Sequence, residues 1–145
     1  MDTLPLGFRL KDQPCLVVGG GDIAQRKVSL LLRAGGKVSL VAPEVLPALQ
    51  AQIEAAGGRV FHRPYCPDDI IDQTLVISAT DDEALNAEVS HACQARRIPV
   101  NVVDSPALCT VIFPAIVDRS PLLIGISRNG VSPVFARILR GTTES

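Results

Sequence analysis

Cys15-Leu-Val-Val-Gly-Gly-Gly-Asp-Ile-Ala24 is the stretch that decides how this chain folds. Cys15 to Val18 are small or apolar and read as a short strand buried on both faces. Three glycines follow, and a helix is expected to begin at Asp22 or Ile23. Gly19, Gly21 and Ala24 have the spacing G-x-G-x-x-G/A that binds a dinucleotide pyrophosphate. Gly19 permits the tight turn out of the strand, because glycine alone reaches positive φ cheaply. Gly21 lacks a Cβ and lets backbone approach phosphates closely, and Ala24 is small enough for helix to pack on strand. The free N–H groups and positive dipole end of the helix then face the anion. On the motif alone, a glycine-rich strand-to-helix turn with no ligand stays open. The flanking strand and helix favour the nucleotide.

Working outward, the first helix runs to Ala34, with Ala24, Val28, Leu31 and Leu32 on one face. Gly35-Gly36 stops it. Lys37–Ala42 reads as a second strand and Pro43 ends it. A helix follows with Leu46, Leu49, Ile53 and Ala56 on one face, stopped by Gly57-Gly58. Arg59–His62 is a short third strand, and Pro67–Asp72 makes a helical turn or two. Leu75–Ala79 is a fourth strand, apolar enough to be interior. A long helix is expected from Asp82 to Arg97, acidic in its first turn and basic in its last. Pro99–Val103 is a fifth strand, with Asp104 at its carboxyl end. Upstream, Leu4–Leu10 looks like a short edge strand. This order with short connections predicts a Rossmann-type, doubly wound parallel sheet over residues 1–113. Ligands of such sheets bind outside the carboxyl ends of the strands. Gly19–Asp22, Ala42–Glu44, Thr80–Asp81 and Asp104 all fall at that edge.

The pattern changes after Cys109. Cys109–Val117 and Leu122–Ser127 read as two strands joined through Asp118-Arg119-Ser120-Pro121. Asn129-Gly130 turns the chain, and Ser132 caps a last helix with Pro133 at its first position. A hairpin and one helix bury themselves poorly, so residues 114–145 are expected to form a dimerisation segment against a second copy of the chain.

Bulk composition limits the function. The 145 residues carry 47% hydrophobic and 20% charged side chains, so the chain is globular rather than disordered. A net charge of −1, no Trp and one Tyr argue against nucleic-acid binding. Residues 1–104 hold ten basic and thirteen acidic residues. Residues 105–140 hold Arg119, Arg128, Arg137 and Arg140 against Asp118, a basic tail suited either to an anionic partner or to solvent. Cys15, Cys66, Cys93 and Cys109 have neither metal-ligand nor dithiol spacing, and no metal site is read. Cys15 and Cys93 are expected to be small core residues. His62 and His91 read as surface or packing residues. No apolar run approaches about 18 residues and no secretory signal is read. The chain is expected to be cytoplasmic, with reduced thiols and no membrane partner.

Several runs together carry a family resemblance. Val18-Gly-Gly-Gly-Asp-Ile-Ala-Gln-Arg-Lys27, Ala79-Thr-Asp-Asp82, Asn101-Val-Val-Asp104, Asp118-Arg-Ser-Pro121 and Ser132-Pro133 resemble, in order and in one register, the N-terminal module of siroheme synthases. That module is a precorrin-2 dehydrogenase and sirohydrochlorin ferrochelatase. The resemblance implies NAD-dependent oxidation of precorrin-2 to sirohydrochlorin, then insertion of Fe²⁺ as a substrate to give siroheme. It also implies a homodimer. The family gives one aspartate, matching Asp104, the base of both steps. Arg128 and Asn129 depart from the small residues frequent there.

Independently of the family, dehydrogenation needs a base beside the nicotinamide, and metal insertion must remove pyrrole protons. Asp104 is the carboxylate at the end of the last parallel strand. A cap on the Ser105-Pro106 turn is its plainer alternative. Cofactor contacts are expected from Gly19, Gly21, Asp22 and Ile23 at the pyrophosphate, from Pro43 and Glu44 near the adenosine ribose, and from Thr80. Glu44 favours NAD over NADP. Family members continue into a helical domain, and larger ones into a methyltransferase. A chain ending at Ser145 is therefore expected to fold, dimerise and bind NAD, yet turn over precorrin-2 less well than one extended by the helical domain. The rivals are a nucleotide-sensing regulatory module without catalysis and a catalytically dead dimerisation partner.

Overall fold

Burial on two faces selects the strands at the centre of the protein. The computed structural model describes residues 1–127. They divide into two compact units, Arg9–Val111 and Met1–Phe8 with the residues from Ile112 onward. In the first unit β1 (Pro14–Val18), β2 (Lys37–Val41), β3 (Arg59–Phe61), β4 (Leu75–Ser78) and β5 (Val100–Val102) form a parallel sheet in the order β3-β2-β1-β4-β5. Three helices connect them: α1 (Asp22–Arg33), α2 (Pro47–Ala55) and α3 (Glu83–Ala95). The expected Rossmann-type parallel sheet is the fold of this unit. The chain leaves β1 toward β2 and β3, then returns to lay β4 on the other flank of β1. Such a reversal of strand order opens a crevice at the carboxyl ends of its two central strands.

The two faces of β1 sort by alternation. Leu16 and Val18 join Val76, Val100 and Val102 of the sheet, and Val89 and Cys93 of α3, in one cluster. Cys15 and Val17, pointing the other way, are also fully buried. Ala24, Val28 and Leu31 of α1 have no exposed surface. Each fully buried Val, Leu or Ile is worth about 1.5–3 kcal/mol relative to exposure, and the sheet collects these on both sides. Cys15 and Cys93 are core residues as expected, and burial pushes both thiols up to about 11.

Two strand assignments from sequence are corrected. Residues 4–10 form no strand. Pro5 lacks the N–H a ladder needs and Gly7 weakens it, and Leu4, Leu6 and Phe8 are exposed. Nor does a strand run through residues 109–114: Pro106–Leu108 is a 3₁₀ turn, and β6 begins only at Ala115. Cys109–Val111 instead covers the outer edge of β5 irregularly. The Thr110 and Val111 N–H groups both donate to the Val100 carbonyl (2.8 and 3.2 Å). Thr110 Oγ1 and Cys109 Sγ accept from the N–H groups of Val100 (2.9 Å) and Val102 (3.1 Å). Side chains thus replace a sixth strand on an edge that would otherwise be open to pairing.

In the second unit β6 (Ala115–Arg119) and β7 (Leu122–Ile126) pair antiparallel, with Val117 opposite Ile124. Ser120 and Pro121, joined by a cis peptide, link them. The expected hairpin is present, with β6 shorter than expected. The helix expected after Ser132, together with Arg128, Asn129, Arg137 and Arg140, lies outside the described residues.

The end of α3 differs from the expectation in one instructive way. The helix stops at Ala95, so Arg96 and Arg97 lie beyond its last turn. Ile98 N–H returns to the Cys93 carbonyl (2.9 Å) and Arg97 N–H to Gln94 (3.1 Å), the paired bonds of a Schellman stop. Glycine at 35 and 57 takes the left-handed position after α1 and α2, but here Arg97 holds it at φ +57°. A side chain in that conformation costs about 1–2 kcal/mol. We expect Arg97→Gly to stabilise the chain by about 0.5–1 kcal/mol, read as a higher urea midpoint at unchanged slope. A lower midpoint would show that the arginine side chain outweighs its backbone strain.

Candidate nucleotide-binding edge

Close approach of backbones shapes the carboxyl edge of the sheet. Gly19, at φ +123°, leaves β1 in a conformation that side chains rarely adopt. A Cβ there would run into the Ala79 carbonyl at the end of β4. A Cβ at Gly20 would strike the Glu44 carbonyl after β2. Gly21 differs, because nothing lies within 4 Å of where its Cβ would stand. The first two glycines are therefore required by the protein's own packing, and the third leaves space open. Gly20 was invisible in the motif, where it occupies a free position. Its signal is the Leu46 N–H donated to its carbonyl (2.9 Å), which ties the loop after β2 onto the turn.

Helix α1 starts at Asp22 with Gly21 as its N-cap and no side chain satisfying the cap. Its first intrahelical bond runs from Gln25 N–H to the Gly21 carbonyl (3.0 Å). The N–H groups ahead of it carry the partial positive charge of the helix end. Open space at Gly21 and this donor set fit a pyrophosphate. Ala24, fully buried, permits the tight seat of the helix.

Beside this turn, Ile23, Ala79, Thr80, Asp81, Glu83, Asn86, Val103, Asp104 and Ser105 enclose a cleft of about 230 Å³. Three residues singled out from sequence, Ile23, Thr80 and Asp104, thus line one cavity. Pro43 and Glu44 do not line it. They are exposed in the loop that packs on Gly20. Gly19, Gly21 and Asp22 belong to the turn beside it. A second hollow, lined by Arg97, Pro99 and Thr110, lies at the opposite end of β5, away from these groups.

Asp104 is exposed, and its backbone is left-handed at φ +61°. The turn is closed by Ser105 N–H donating to the Val102 carbonyl at 3.1 Å. Aspartate tolerates this conformation better than most residues. Its electrostatic neighbour is Lys27, which is half-buried on α1. Burial pushes the Lys27 ammonium below its ordinary value, opposed first by the Asp104 carboxylate and then by Cys109. Lys27 was not identified from sequence, where it reads as one more cation on an amphipathic helix. Burial pushes the Cys109 thiol up, although the Val102 backbone and Lys27 act the other way. His62 and His91 are exposed, and His62 Nε2 lies 2.8 Å from Gln50 Oε1. Among the described residues no group of three or more His, Cys, Asp and Glu side chains is arranged to hold a metal ion. Among them, too, no helix is long and apolar enough to cross a membrane.

Residues 6–115 match a protein-family model described as putative NAD(P)-binding. Over its whole length the chain is 54% identical to the siroheme synthase of Saccharophagus degradans, of which it covers 32%. It is 53% identical to that of Methylobacillus flagellatus, covering 31%. Identity to the Pseudomonas aeruginosa siroheme synthase is 52%, again covering 31%. The chain thus spans about a third of the length of these relatives. Among solved structures, SirC, a precorrin-2 dehydrogenase, is similar with a TM-score of 0.78 at 27% identity, covering 98% of this chain and 70% of that one.

The glycine geometry separates folding from binding. Gly20→Ala is expected to destabilise the chain by more than about 2 kcal/mol, since only backbone can yield to the new methyl. Gly21→Ala is expected to melt within about 2 °C of the unaltered chain, yet bind NAD at least about tenfold more weakly. Paired thermal melts and calorimetric titrations check this, and equal NAD affinity for Gly21→Ala would remove the pyrophosphate from the turn.

Proposed function

The chain belongs to the putative NAD(P)-binding family, and we propose that it is a precorrin-2 dehydrogenase module, oxidising precorrin-2 to sirohydrochlorin with NAD. The observation that carries this reading is the single cleft that unites Ile23, at the start of α1, with Thr80 and Asp104. The similarity of the whole chain to about a third of the length of the siroheme synthases and the likeness to SirC supply the substrate class. We extend the proposal to ferrochelation at the same cleft, with Fe²⁺ as a substrate delivered to the tetrapyrrole. The four cysteines are free, in keeping with a reducing, cytoplasmic setting.

The residues divide the work. Gly21 and the first turn of α1 would hold the pyrophosphate, and Thr80 would border the nicotinamide half. NAD, when bound, supplies the two-electron acceptor for the oxidation. Asp104 takes up the proton that the tetrapyrrole loses as its bond order rises. The exposed carboxylate can pass that proton to water and be ready again. Iron insertion displaces two pyrrole protons, and the same carboxylate is placed to receive them in turn. Lys27, half-buried on α1, interacts electrostatically with the Asp104 carboxylate. Glu44 favours a free ribose hydroxyl over a 2′-phosphate, so NAD is expected to bind more tightly than NADP.

Asparagine keeps the volume of Asp104 and tolerates the left-handed backbone, whereas alanine would add strain to the loss of the base. We therefore expect Asp104→Asn to lower both precorrin-2 dehydrogenation and iron insertion by about 10²–10⁴-fold with NAD affinity within about twofold. Wild-type rates in the variant would leave Asp104 a turn residue. Binding of NAD with no turnover by the unaltered chain would favour a nucleotide-sensing module instead. The hairpin exposes Leu122 and Leu123 at 59% and 68%, and we propose that it pairs two copies of the chain. Sedimentation at micromolar concentration is expected to give a dimer that Leu123→Glu dissociates.

A further inference from the structure

Under the cleft, one buried amide joins pieces of backbone that the candidate site keeps apart. Asn86 lies in the first turn of α3 and is only 5% exposed. Its Oδ1 accepts from the hydroxyls of Ser78 and Thr80, both at 2.7 Å. Its Nδ2 donates to the Thr80 carbonyl at 3.0 Å. A carbonyl can only accept, and only the amide oxygen can accept from both hydroxyls, so one orientation of the amide satisfies all three partners. Ser78 is wholly buried. The Thr80 hydroxyl also accepts from Asp82 N–H at 3.2 Å, and Asp82 caps α3 through Leu85 N–H at 3.1 Å.

The grip on Thr80 acts on both halves of the site. Ala79, just before it, donates its N–H to the Val18 carbonyl at 2.8 Å, and its own carbonyl fills the space facing Gly19. Ser78 accepts the N–H of Val103, the residue before Asp104, at 3.0 Å. Asn86 therefore grips the end of β4 and the loop after it, which together contact the end of β1 and the end of β5. Helix formation does not call for asparagine here, since its propensity is ordinary and its burial is costly unless every polar atom is bonded.

We propose that Asn86 is a positioning residue of the nucleotide site: by bonding Thr80 at both carbonyl and hydroxyl, it sets the β4–α3 loop in the shape that receives the dinucleotide beside Asp104. The inference rests on the cleft being the NAD site, and the experiment tests the two separately. The full chain and its Asn86→Ala, Asn86→Asp, Ser78→Ala and Ser90→Ala variants are titrated with NAD by calorimetry, below the onset of their thermal melts. Asn86→Asp preserves shape and packing but sets a carboxylate against the Thr80 carbonyl. Ser78→Ala removes one bond and leaves the grip on Thr80 intact. Ser90, on the same helix and also buried, donates to the Leu108 carbonyl at 2.6 Å and serves as the control for lost stability alone. Both Asn86 variants are expected to bind NAD about tenfold or more weakly, with the serine variants within about twofold of the unaltered chain. Unchanged affinity in the Asn86 variants, or an equal loss in Ser90→Ala, would overturn the inference while the NAD site stands. Failure of the unaltered chain to bind NAD would overturn the cofactor reading and this inference with it.

Discussion

The structure depends on how closely the ends of β1, β2 and β4 approach one another. Gly19 donates its N–H to the Val41 carbonyl at 3.1 Å, and Ala79 donates to Val18 at 2.8 Å, extending both ladders past the last strand residues. This contact leaves no room for a Cβ at Gly19 or Gly20. Because the strand order reverses beside β1, the three chain ends must diverge there, and glycine lets them diverge at once. The crevice is thus a by-product of satisfying backbone hydrogen bonds on a sheet buried on both faces.

What could be read in the sequence follows from this packing. The parallel sheet was legible because β1 and β4 are short apolar runs, each ended by small or polar residues. Strands buried on both faces leave that signature. The edge of the sheet was less legible. Residues 109–111 carry strand-like composition, yet Cys109 and Thr110 bond to β5 through their side chains, which no periodicity reports. Leu4 and Leu6 look like a strand, but Pro5 lacks a ladder donor and both leucines are exposed. Arg97 shows the same limit at a helix end, where a non-glycine residue holds the left-handed stop.

The candidate site divides similarly. Gly21, Thr80 and Asp104 are legible as candidates because they stand at carboxyl ends of strands, and Ile23 because it opens the helix after the glycine turn, both of which sequence order reports. Gly20, Lys27 and Asn86 are not, because their roles are three-dimensional. Gly20 matters for what lies opposite it, and Lys27 for a carboxylate far along the chain. Asn86 matters for its partners, the Ser78 and Thr80 hydroxyls, which no spacing in the sequence reports.

Charge and burial are also distributed unevenly around the cleft, whose lining includes the Asp81, Glu83 and Asp104 carboxylates. A buried pair of opposite charges loses much of its Coulombic gain to desolvation. Asp104 avoids that cost by standing exposed on a turn. Lys27, half-buried, keeps its charge in a less favourable medium, and that is why its ammonium is easier to deprotonate than usual despite the nearby carboxylate. The protein thus partly buries the cation, buries the neutral amide of Asn86, and leaves the Asp104 carboxylate exposed. Asp69 is different, since its hydrogen-bonded salt bridge to Arg63 at 2.6 Å holds its carboxyl below the ordinary value. Within one chain, Asp69 is fixed by a salt bridge, whereas Asp104 stands exposed at the carboxyl edge of the sheet.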